Sequence, residues 1–208
     1  MTGSRRDGTL PKTSISRRSI LKTLTMGAAA TSVLRVIPLQ AAEHAHRMIM
    51  AEKKAAATGA YTPKYFDAHG YKTLQALCGT IFPADSDSGG AVEAGAPEFI
   101  DLLTSENKDY QTVLGGGIMW LDGACIDRYG KTYLDCAAQQ QKEILDKIAY
   151  RKNAVADPSL NQGVAFFSFL RNMTADGFFT SEIGIKYLGY VGNTFLKEFP
   201  GCPPVPEA

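Results

Sequence analysis

The chain has 208 residues, 45 % of them hydrophobic, with 22 Lys and Arg against 21 Asp and Glu and a formal net charge of +1. That near-neutral total conceals an uneven distribution: positions 1–41 hold seven basic residues and one acid, so 22 and 21 become 15 and 20 over the remaining 167 residues, a net charge of −5. The sign argues against nucleic acid or an anionic membrane surface as partners, since both reward clustered Lys and Arg, and 167 residues suit one domain with a real core.

The first element is an export signal. Ser16-Arg17-Arg18-Ser19-Ile20-Leu21-Lys22 resembles the S-R-R-x-F-L-K pattern of twin-arginine leaders, with Ile20 in the place of Phe. The apolar run from Thr23 to Leu34 is rich in Ala, Gly and Thr and is interrupted by Arg35. It falls short of the ~20 apolar residues that span a bilayer. Small residues around Leu39-Gln40-Ala41 offer cleavage after Ala41 or Ala42, and no Cys lies nearby to accept a lipid. The expected organisation is a leader over 1–41, a flexible lead-in over 42–63 and a single domain over 64–208. The expected destination is the periplasm, reached through the twin-arginine translocase.

From Phe66 the pattern turns helical. Tyr71, Leu74, Leu77, Cys78 and Ile81 recur at spacings of three and four, and Pro83 ends the run. Pro97 suits the first turn of a second helix, whose buried face is Phe99, Ile100, Leu102 and Leu103. Leu114, Ile118, Leu121, Cys125 and Tyr129 trace one face of a third, while Gly115-Gly116-Gly117 near its start calls for a close neighbour or a bend. Asp135 is the expected cap of a fourth helix carrying Ala138, Gln141, Leu145 and Ile148 along one side. Beyond a loop at Asp157-Pro158, the stripe Phe166, Phe169, Leu170 and Met173 marks a fifth. No segment alternates as a strand does. The predicted fold is an all-α, bundle-like domain of five or six helices with an irregular tail from Gly189.

Catalytic and metal motifs are weak. Asp85-Ser86-Asp87-Ser88-Gly89-Gly90 opens like a calcium loop, but the twelfth position is Ala96 where a bidentate Glu is needed, so it reads as a solvated loop. The triple glycine lacks the spacing, preceding strand and Lys of a nucleotide cradle. His69 is the one histidine well inside the predicted fold, near a helix start where a surface or capping role is common. Asp122 and Asp127, five apart, do not face one another on a helix. Cys78, Cys125, Cys136 and Cys202 form no C-x-x-C, and the sequence leaves free thiols and disulfides both open. No catalytic, cofactor-binding or metal residue is therefore nominated.

Several stretches, in this order along the chain, resemble one family: "YTPKYFDAHGYKTLQALCGTIFPADSDSGGAVEAGAPEFIDLL", the Q-x-x-x-I-L helix at Gln140 to Leu145, and "GYVGNTFLKEFPGCP". The chain resembles the gluconate 2-dehydrogenase subunit 3 family from about Tyr61 to Pro203. The resemblance implies a small subunit, itself without a cofactor, that accompanies a large FAD-loaded subunit of the glucose-methanol-choline type, with a cytochrome c carrying haem as a third component. A flavoprotein assembles its FAD inside the cell, so a leader that accepts folded cargo fits a partner that has no leader of its own. The competing readings are a free-standing periplasmic enzyme and an assembly chaperone. The aromatic C-terminal region nominates Phe178, Tyr187, Tyr190, Phe195 and Phe199 as contacts to the flavin subunit, the alternative being that they tether the tail to the chain's own core.

Overall fold

The structure, a computed structural model, describes residues 37–57 and 59–192. Among these residues there is no strand, and eight helices of six or more residues make up the domain. They are α1 (Leu39–Ala55), α2 (Ala68–Ile81), α3 (Ala96–Glu106), α4 (Gly116–Tyr129), α5 (Ala138–Ile148), α6 (Arg151–Ala156), α7 (Asn161–Phe179) and α8 (Glu182–Tyr187). The all-α expectation holds, and each of the five predicted stripes lies on a helix. Among the described residues no helix is long and apolar enough to cross a membrane.

The clearest departure is α1, where the sequence suggested a flexible lead-in. Its buried residues are Ala42, Ala45 and Ile49, a narrow stripe of mostly alanine amid charged neighbours. The segment is polar on average, so its small apolar face is easily passed over, and α3 covers that face in the fold. Lys53 and Lys54 in its last turn suit the negative end of the helix dipole. Ala41 and Ala42, the expected cleavage region, fall inside this helix, and Ala42 is fully buried. The remaining additions, α6 and α8, are too short for a periodic signal.

α7 is the central helix. It packs against α3, α4, α5 and α8, and buries Val164, Phe166, Phe167, Leu170, Met173 and Phe178. Glycine makes these approaches possible. A Cβ on Gly117 of α4 would collide with the Phe166 ring, and one on Gly163 of α7 would collide with Trp120. The triple glycine thus has the close neighbour, one of the two alternatives raised for it. A π-helical turn at Gln111–Gly115 leads into α4, and the Tyr65 hydroxyl sits over Gly115 and donates to Gln111 O at 3.1 Å.

Caps fix the ends. Asp67 accepts from Gly70 N at 2.7 Å at the start of α2, a cap worth about 1 kcal/mol. Ser181 accepts from Gly184 N at 3.0 Å at the start of α8. Asp135 does not cap α5: it lies in the 3-10 turn Tyr133–Asp135 and accepts from the Thr132 hydroxyl at 2.7 Å. The α5 terminus is served by Gln140, whose side chain reaches back to Ala137 N at 3.0 Å. Asp135 stands three residues before the helix begins, too far for its carboxylate to act as the N-cap.

Candidate functional site

Three groupings of side chains merit comparison as sites. The deepest is centred on Asp101 of α3, fully buried between Ile100 and Leu102. Its Oδ2 accepts from the Tyr61 hydroxyl at 2.8 Å and from Lys64 N at 2.6 Å, and its Oδ1 accepts from Tyr65 N at 3.1 Å and Phe66 N at 3.0 Å. Four donors converge on one carboxylate, which fixes the extended segment 61–66 to the core. Burial and the hydrogen bond to Asp101 push the Tyr61 hydroxyl far above the ordinary phenol range. One turn earlier, Glu98 pairs with Lys53 of α1 at 2.6 Å, while its other oxygen is buried without a partner among the described residues. Sequence reading missed both acids. The available signal was an acid inside the apolar run "EFIDLL".

The second grouping contains His69. Its Nε2 lies 2.7 Å from Asp122 Oδ2, and Asp122 Oδ1 accepts from Tyr133 N at 2.9 Å. The carboxylate therefore clasps α2, α4 and the 133–135 turn. Among the described residues no Ser, Thr or Cys side chain hydrogen-bonds the imidazole, so the His–Asp pair lacks the nucleophile that acyl transfer requires. His46, in α1, stacks on Phe99 at a centroid distance of 5.0 Å and meets Thr180 Oγ1 at 3.0 Å. Burial lowers its pKa below the ordinary value, against the pull of a Gly177 backbone hydrogen bond and the Glu98 charge. Among the described residues no group of three or more His, Cys, Asp or Glu is placed to hold a metal. The Asp85 loop closes on itself, with Oδ1 accepting from Asp87 N at 2.9 Å and Ser88 N at 2.8 Å.

An open groove of about 680 Å³ runs along α6 and α7, with Arg151, Asn161, Asn172 and Asp176 beside Val155 and Phe169. Burial raises the Asp176 carboxyl pKa, and a hydrogen bond from Ile37 N opposes that shift.

The third grouping is the end of α7 and α8. Phe178 is fully buried, stacked on Phe82 at 4.0 Å between centroids, with Phe179 and Tyr187 at its edges. It belongs to this chain's own core, which corrects its nomination as a partner contact: α8 folds back over it through Ser181 and Gly184. Tyr187 and Tyr190 of the same nomination are half exposed, at 50 % and 53 %, and with Leu188 at 58 % and Val191 at 81 % they make a short run of exposed apolar surface. Phe195 and Phe199, like Arg17, Arg18 and Cys202, lie outside the described residues.

A family model described as gluconate 2-dehydrogenase subunit 3 matches residues 68–201, from the first turn of α2 to beyond α8. No curated protein and no solved structure matches the chain significantly. The match spans well over half of the sequence, and the chain belongs to the gluconate 2-dehydrogenase subunit 3 family.

Proposed function

We propose that this chain is the non-catalytic small subunit of a periplasmic, FAD-dependent sugar or sugar-acid dehydrogenase, carrying its large flavin subunit of the glucose-methanol-choline type through the twin-arginine translocase and stabilising it afterwards. FAD belongs to that partner and haem c to a cytochrome subunit that takes the electrons. The observation that carries the reading is the exposed apolar run Tyr187, Leu188, Tyr190 and Val191 in a chain of this subunit family. Aromatic and aliphatic anchors of this kind dominate binding energy at protein interfaces, whereas rim charges contribute little. The commitment of two acids, buried Asp101 and partly buried Asp122, supports a structural role. Asp101 is occupied by four donors of its own chain and Asp122 by two, which leaves neither poised as a general base.

The test is isolation of the tagged full-length chain from the periplasm of its own host, with an absorption spectrum and sugar-dependent dye reduction. Co-purification of a large flavoprotein that carries the activity is the expected result. A chain recovered alone that itself oxidises a sugar would establish a free-standing enzyme. A partner bound in the cytoplasm but absent from the periplasmic complex would establish an assembly chaperone.

A further inference from the structure

Two of the cysteines are brought together by a turn whose position is set elsewhere. Tyr133 N donates to Asp122 Oδ1 at 2.9 Å, which ties the Tyr133–Asp135 turn to α4. Three residues beyond each end of this bond stand Cys125, on the buried face of α4, and Cys136, directly after the turn. Cys136 Sγ donates to Lys131 O at 3.9 Å across the turn, and Cys125 and Cys136 are buried free thiols of one core cluster, near enough for each sulfur to act on the other and on the buried Tyr133 ring. Cys78 is elsewhere, buried against Thr174 of α7 with its sulfur 3.6 Å from that hydroxyl. We propose that Cys125 and Cys136 are a disulfide-forming pair, a cystine that locks the 131–136 connection onto α4.

The two thiols are not equivalent. Cys136 is 7 % exposed and Cys125 is fully buried. Burial, with the neighbouring sulfur and the Asp122 charge adding to it, pushes the Cys125 thiol up to about 12, so Cys125 is a poor first nucleophile. The oxidant is a disulfide, small or protein-borne. The Cys136 thiolate attacks one of its sulfurs, forming a mixed disulfide and releasing one thiol. Cys125 Sγ then attacks Cys136 Sγ, forming the internal bond and releasing the second thiol. Two electrons pass to the oxidant, and the protons leave on the two released thiols. The folded state supplies proximity before oxidation, which suits a chain that folds in a reducing cytosol and meets disulfide oxidants after export. The pairing rests on the packing of α4 against the turn and not on the identity of any partner.

The experiment uses the fully reduced, full-length chain equilibrated with glutathione disulfide, alkylated under denaturing conditions and digested with trypsin. Arg128 and Lys131 separate the two cysteines, so the cystine appears as peptide 109–128 linked to peptide 132–142. A second sample is refolded from denaturant in the same buffer, which removes any limit set by access. The linked pair is expected in both samples. Its formation should raise the melting temperature by roughly 5–10 °C, as expected for a short closed loop in a domain of this size. Cys136→Ser should abolish both the linked peptide and the rise. Recovery of both peptides singly alkylated after refolding, or linkage of Cys136 to Cys78 or Cys202, overturns the proposal.

Discussion

Tyr61 and Asp101, forty positions apart, meet at 2.8 Å in the buried core, hydroxyl to carboxylate. The contact joins an irregular segment to the middle of α3, and the same carboxylate takes three backbone N–H groups from residues 64–66. Removing the acceptor strands several buried donors, whereas removing the tyrosine hydroxyl leaves the acid with its three backbone partners. Asp101→Ala should therefore cost about 3–5 kcal/mol of folding stability and Tyr61→Phe only about 1–2 kcal/mol. Urea denaturation of the two variants checks the order, and equal losses would contradict it.

Glycines of α4 and α7 should respond to alanine according to what faces them. Gly117 and Gly163 meet the Phe166 and Trp120 rings, so Gly117→Ala and Gly163→Ala should each cost about 1–3 kcal/mol by overpacking. Gly123, in the same α4 helix, faces open space. There Gly123→Ala should stabilise the protein by about 0.5–1 kcal/mol through helix propensity. Melting temperatures that move in opposite directions are the expected result.

Acid sensitivity should trace in part to His46. Its folded pKa lies below the ordinary value of 6.5 because of burial, so the unfolded chain takes up the proton first. The stability associated with the neutral ring is complete above pH 6.5 and declines as pH falls from there toward the lowered folded value. His46→Gln should flatten the dependence of unfolding free energy on pH below 6.5 while leaving other acid-sensitive groups in place. An unchanged slope would remove His46 from the explanation.

Two aromatics on successive helices of the C-terminal region, Phe178 of α7 and Tyr187 of α8, should separate folding from binding. Phe178→Ala, at a fully buried stacked ring, should cost about 3–5 kcal/mol of stability. Tyr187→Ser combined with Leu188→Ser, at half-exposed positions, should change stability by no more than about 1 kcal/mol. The double variant should lose the flavoprotein from a periplasmic pull-down. Retention of the partner by a folded double variant would place the interface elsewhere on the chain.

The export half of the reading has its own test. Arg17→Lys combined with Arg18→Lys keeps the charge but removes the planar donor forks that the translocase reads as an address. Both this chain and the flavin subunit should then accumulate in the cytoplasm. Normal export of the partner would exclude co-transport.

The sequence by itself determined the helical class and the core faces of the longer helices. Stripes such as Leu74, Leu77 and Cys78, or Phe166, Leu170 and Met173, repeat an apolar contact every turn and carry their own signal. It also held the family, through ordered motifs along one stretch. Only the tertiary structure decided the rest. α1 is a helix because α3 covers its alanine stripe, and Phe178 is core because α8 turns back over it. Asp101 and Asp122 act as clasps because segments distant in sequence bring donors to them. The 133–135 turn lies on α4 because a backbone hydrogen bond to Asp122 holds it there. Local periodicity reports what one segment must hide from water, while the identity of a polar side chain's partner is a property of how segments meet, and no short window of sequence contains it.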